Sequence, residues 1–313
     1  QSFFSDCLRG LRRIVSAVFF DGVYYSVMLT TALSFIYLYD VEIDLHDIII
    51  LTTILLSVIV IAGLVSSLIA IKDMPFDRRT NVAKVWNVGW PQMFSTLAMF
   101  NLTESAIIIL GIYSTTKNLA LYGIALKLII LLRFSQFVVN SIVPPLIAEL
   151  NATREKDHLE KMLRSCSTIV TSIGLTIAFV YAIAGNNLLD VLFGSEYKQA
   201  YPLLMILTIG QLVNLGVGSC GQVLMMTGHQ RILMKISIAT LLLTITSATF
   251  AVKEFDAIGV ASVFSISIIF QSLATAFAVK KKVGIWTFTQ LPTITVFSNV
   301  INLKKSRKKS TNE

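Results

Sequence analysis

With 313 residues, 55% hydrophobic and only 14% charged, and a mean hydropathy of +0.74, the chain has the composition of an all-helical integral membrane protein and not of a soluble domain. Its net charge of +8 would suggest nucleic acid in a soluble protein, but no basic fold with base-stacking aromatics is present, so nucleic acid is not an expected partner. Three scattered cysteines and three distant histidines give neither a disulfide framework nor a metal set.

Eight apolar spans follow in chain order, at 14–38, 48–71, 88–112, 119–143, 167–184, 202–226, 232–252 and 258–279. Each is about long enough to cross a hydrocarbon core of roughly 30 Å as a helix. Lys and Arg fall on alternate sides of these spans. One side holds 21 of the 26, from Arg9, Arg12 and Arg13 through Lys72, Arg78, Arg79 and Lys84 to the run Lys304–Lys309; the other holds only Lys117, Lys198 and Lys253. The positive-inside rule makes the first side cytoplasmic, with both termini there. Trp86, Trp90 and Trp286 sit near the cytoplasmic boundaries and Tyr113, Tyr122, Tyr197 and Tyr201 near the outer ones, as interfacial belts do. The polar stretch 72–87 separates two spans from a block of six joined by short loops, of which 185–201 is the longest outer one. Pro144-Pro145 is expected to close the fourth span. No loop is large enough for a catalytic domain, and no nucleophile elbow, phosphate-binding glycine loop or HExxH motif occurs, so no covalent chemistry or cofactor is expected.

Ionisable groups within spans are costly and are the first functional candidates. Glu104 and Lys127 lie at matched depth on consecutive antiparallel spans, where an ion pair would keep both charged; the alternative is a snorkelling Lys127 beside a protonated Glu104. Arg133 lies deeper, with Gln136 and Asn140 at i+3 and i+7 on the same helical face. A guanidinium flanked by amides suits a phosphate or diphosphate, because its planar fork donates in parallel to anionic oxygens. The same stripe could instead be a polar seam between helices. Asp21, in the first span, lies at a depth comparable to Arg133 and could face it across a cleft. Gln211, Asn214 and Gln222 share a face of the sixth span among Gly210, Gly216, Gly218 and Gly221, and read as packing positions.

Several short motifs together carry a family resemblance. They are Trp90-Pro91, Tyr122-Gly123-Ile124-Ala125, Pro144-Pro145-Leu146-Ile147-Ala148, Phe193-Gly194-Ser195-Glu196-Tyr197, Met226-Thr227-Gly228-His229-Gln230 and Ala257-Ile258-Gly259-Val260-Ala261. In their order and spacing they resemble the Wzx-type flippases of the multidrug/oligosaccharidyl-lipid/polysaccharide superfamily, over about residues 87–282. The resemblance implies two six-helix bundles around a central cavity, alternating access, and an undecaprenyl-diphosphate-linked oligosaccharide as substrate, turned across a bacterial inner membrane for O-antigen, capsule or exopolysaccharide synthesis. It further implies membrane lipids and a polysaccharide polymerase complex as partners, and no cofactor. The organisation expected is an all-α polytopic membrane protein of eight transmembrane helices. Residues 1–80 would hold the last two helices of an N-terminally truncated first bundle, 81–282 a complete second bundle, and 283–313 a basic cytoplasmic tail. A cation-coupled multidrug exporter of the same superfamily is the alternative, and a membrane-embedded glycosyltransferase or polymerase a more distant one. Arg133, Lys127, Glu104, Gln136, Asn140 and Asp21 are the candidate substrate-contacting residues.

Overall fold

A computed structural model describes residues 24–39, 45–71 and 82–289, and these are helical nearly throughout. The chain divides into two compact units, Gln1–Thr80 and Asn81–Glu313. In the first, α1 (Tyr24–Leu38) packs against α2 (Leu45–Ile71). At 27 residues α2 is about 40 Å long and apolar on every side, as a helix bathed in lipid or apolar side chains must be. Asp21 lies outside the described residues, as does the basic run 304–309.

The second unit contains α3 (Val82–Tyr113), α4 (Thr116–Ala152), α5 (Lys156–Phe193), α6 (Tyr201–Val217), α7 (Cys220–Met226) and α8 (Gln230–Lys282). Its 53-residue α8 is two spans, not one. Asp256 adopts φ 50°, ψ −136° and folds the limbs 230–255 and 257–282 back on each other. The hydrogen bonds Thr244 to Ser267 (2.7 Å) and Gln271 to Ser237 (3.2 Å) show that the limbs run antiparallel. The Asp256 carboxylate holds this bend by accepting from Asn118 Nδ2 (2.6 Å) and from Ser114 Oγ. With α8 counted as two spans, α3 to α8 supply the six membrane-crossing segments of a bundle.

Two details differ from the sequence expectation. Pro144 and Pro145 do not end their helix, because α4 runs on to Ala152. Each proline removes one backbone donor, yet the remaining turns and neighbouring helices keep the segment helical. The outer loop expected at 185–201 is mostly helix: α5 reaches Phe193, and a 3₁₀ turn over Ser195–Ala200 leads into α6, steadied by Lys198–Asp190 (2.9 Å).

Inside the bundle the core forms two apolar layers. One gathers Leu110, Tyr122, Leu132, Tyr181, Leu189, Leu204 and Val260 toward the Asp256 end. The other gathers Ile147, Leu159, Leu163, Leu224, Leu233 and Val279 toward the opposite end. Between them lies a belt of amides and hydroxyls.

Candidate functional site

That belt is built where α6 stops. Gly218 takes φ 80°, a left-handed conformation that side chains disfavour, and the helix gives way to the short α7. A helix ending inside a membrane exposes carbonyls that water cannot reach, so they must be satisfied by protein. Ser167 Oγ donates to Leu215 O (3.2 Å) and Gly216 O (3.0 Å). The remaining donors come from the segment after α8, which turns at Gly284 and runs without regular structure back into the bundle. Thr287 Oγ1 donates to Val217 O (2.8 Å) and Thr289 N to Gly216 O (2.9 Å). Trp286 N donates to Glu160 Oε2 (3.2 Å) and fixes the start of this strap. Residues 283–289, expected to begin a basic tail, are thus part of the bundle; Ile285 and Thr287 are fully buried.

On the inner side of the break is a cleft of about 250 Å³ whose wall includes Arg133, Gln136, Asn140, Gln211, Asn214, Ser219, Gln222, Gln271 and Ser272. Much of this wall is paired with itself. Asn214 Nδ2 donates to Gln136 Oε1 (3.0 Å), and Ser272 Oγ donates to Asn214 Oδ1 (2.9 Å), linking α4, α6 and α8. Ser219 Oγ donates to Asn140 Oδ1 (2.6 Å). Intramembrane bonds of this kind contribute about 0.6 kcal/mol each on average, enough in series to fix helix register. Gln136 and Asn140 therefore belong to the polar seam that was one reading of their stripe. Arg133, one turn away, is exposed in the cleft and has no hydrogen-bond or ion-pair partner among the described residues.

Glu104 and Lys127 do not form the expected ion pair; among the described residues no salt bridge joins them. The reason is azimuth. Lys127 is nine residues before Gln136, half a turn around α4 from the cleft-facing stripe, and is exposed. Glu104 directly follows Thr103, a cleft-wall residue, about 100° further around α3, and is not itself in the cleft wall. α3 also packs chiefly on α8, not on α4. Neither residue reaches the cleft.

Gln211, read from the sequence as a packing position, lines the cleft, and so do Gln271, Ser272, Thr275 and Ser219, which the sequence reading passed over. Gln271-Ser272 in the middle of an apolar span was a usable signal, since an amide at that depth needs a partner or a ligand.

The chain matches the polysaccharide biosynthesis protein family over residues 47–202. A capsular polysaccharide biosynthesis protein, CapF, of Staphylococcus aureus is 28% identical over 158 residues, 50% of this chain and 38% of that protein. Two solved structures share the fold. A MOP superfamily transporter from Pyrococcus furiosus has a TM-score of 0.55 at 16% identity, and an outward-facing multidrug resistance MATE family transporter has 0.56 at 17%. Each alignment covers 69% of this chain and 50% of the transporter, so the chain spans about half the length of the proteins it matches. The chain is a multi-pass membrane protein that resembles the polysaccharide biosynthesis protein family over residues 47–202 and shares its fold with transporters of the MOP superfamily.

Proposed function

We propose that this protein acts in a flippase that turns undecaprenyl-diphosphate-linked oligosaccharide across a bacterial inner membrane, with the lipid's diphosphate drawn to Arg133. The observation that carries this reading is the cleft itself. Among the described residues it offers the unpaired Arg133 guanidinium in a wall of amides and hydroxyls, with no carboxylate in the lining. A guanidinium attracts a charged phosphoryl group and does not favour an uncharged or cationic drug. A cation-coupled drug exporter would call for carboxylates in that place. The family match and the transporter fold favour transport over an enzymatic role. In this reading both termini are cytoplasmic, and the oligosaccharide is handed over outside to a polymerase.

The test is export. Expressed from its natural reading frame in a strain lacking its own polysaccharide flippase, the wild-type protein should restore surface polysaccharide. Arg133→Ala should cut it at least about tenfold at equal membrane abundance, as expected for losing a hydrogen bond to a charged group. Arg133→Lys should restore part, because an ammonium lacks the bidentate fork. Wild-type export by Arg133→Ala would remove the diphosphate from this cleft.

A further inference from the structure

Among the described cleft residues, Gln211 is a buried side chain whose amide donor is left without a protein partner. It is 2% exposed, yet its Nε2 has no hydrogen-bond partner. Leaving a buried amide donor unpaired is costly, and a protein interior retains such a group only for a reason. The register of α4 and α6 says what lies beside it. Gln136 meets Asn214 at a separation of 78 positions, and Asn140 meets Ser219, just past the end of α6, at 79, so the two helices run parallel with an offset near 78. The same offset carries Arg133 to Gln211, one turn from the Gln136–Asn214 bond and facing the same cleft.

The surrounding polar groups narrow the ligand further. Gln136, Asn140, Asn214, Ser219, Ser272 and Gln271 are already engaged with protein partners. Among the described lining residues, the cationic Arg133 fork and the buried Gln211 amide N–H₂ are donors without a protein partner. Two unpaired donors on one cleft wall, one of them cationic and with no carboxylate among the described lining residues, favour a ligand that accepts.

We propose that Arg133 and Gln211 together form an oxyanion site inside this bundle, in which Gln211 fixes a phosphoryl oxygen that Arg133 attracts. The assignment rests on the flippase reading for the source of that phosphoryl group, a lipid diphosphate; the site chemistry itself is independent of transport. Gln211 is kept unpaired in the empty protein because pairing it with a protein group would fill the place of the ligand.

Direct binding and stability test this together. The 313-residue chain in phosphatidylcholine nanodiscs is titrated with inorganic pyrophosphate, and its thermal midpoint is measured without ligand. Gln211→Met preserves length and removes the amide. It should weaken pyrophosphate binding between about tenfold and a hundredfold. It should also raise the midpoint of the empty protein by a few degrees, about 2–4 °C, because an orphaned polar group is gone. Gln211→Glu, of the same length but with a carboxylate, should abolish binding. A lower midpoint for Gln211→Met would show that the amide is structurally bonded and would overturn the proposal, as would unchanged affinity in both variants. If Gln211→Met binds like wild type while Arg133→Ala does not, only the Gln211 assignment fails. If neither change matters, the diphosphate reading falls with it. Weaker pyrophosphate binding in phosphatidylglycerol discs, lost in Gln211→Met, would keep the site and name an anionic lipid headgroup as its occupant.

Discussion

Gly210→Ala should be among the most damaging single-methyl changes in the bundle, and the geometry says by how much. α6 approaches the second limb of α8 so closely at this position that a Cβ would lie 2.4 Å from Ser265 Oγ, 2.9 Å from its Cα and 3.0 Å from its carbonyl oxygen. A side-chain atom alone could swing away; two backbone atoms cannot, so the helices must part by several tenths of an ångström. Overpacking of this kind costs about 1–3 kcal/mol. Parting the helices also strains Ser265 Oγ to Ile206 O (2.9 Å) and Ser272 Oγ to Asn214 Oδ1 (2.9 Å), so the upper end, about 3 kcal/mol, is expected. Thermal unfolding in detergent, followed by loss of the monodisperse peak, reads the change. Gly210→Ala with Ser265→Gly supplies the control. It removes the 2.4 Å clash with the hydroxyl but leaves the backbone contacts, so it should recover less than half of the loss. A stable Gly210→Ala protein, or full recovery in the double variant, would refute the claim that backbone contact sets this spacing.

Four further outcomes are expected. Thr287→Val removes the donor to Val217 O from a fully buried position and should cost about 1–3 kcal/mol in the same unfolding assay, whereas Thr287→Ser should cost less. Asp256→Ala deletes the acceptor for Ser114 and Asn118 and should loosen the end of α3 and the start of α4 against the bend of α8, seen as faster amide exchange there; Asp256→Gly, which relieves the positive φ, should lose less stability. Glu104→Ala and Lys127→Ala, alone and combined, should show additive effects within about 0.5 kcal/mol, since no contact joins the two groups; a larger coupling would restore the ion pair. A membrane-impermeant thiol reagent added outside intact cells should label Ser195→Cys and leave Arg154→Cys untouched, and the reverse pattern would invert the proposed orientation.

The spans were legible because an apolar run long enough to cross a bilayer has few other fates, and the limbs 232–252 and 258–279 fall on either side of the bend at Asp256. The polar stripe was legible too: Arg133, Gln136 and Asn140 share one helical face, and all three line the cleft. Azimuth between helices was not. The pairing of Glu104 with Lys127 assumed that chain neighbours face each other, but α3 spends its buried face on α8. Ser95 shows this, 2% exposed and within 3.5 Å of Ser237. The apolar pattern is too uniform to reveal such a preference, because in a membrane lipid-facing and helix-facing positions are equally hydrophobic.

The glycines of the sixth span were visible as a group, but their separate roles follow only from what each one meets. Gly210 admits a neighbouring backbone, and Gly218 ends the helix. Ending a helix at the level of the cleft creates two needs at once. The freed carbonyls at 215–217 need donors, and Ser167, Thr287 and Thr289 meet that need from outside the break. With the carbonyls satisfied from behind, Ser219 is free to turn inward and hold Asn140, and the cleft wall keeps a fixed shape with Gln211 and Arg133 unpaired above it. The strap that follows α8 therefore supports the cleft wall without being part of it. A segment read as the start of a basic tail is what allows a broken helix to stand in the membrane.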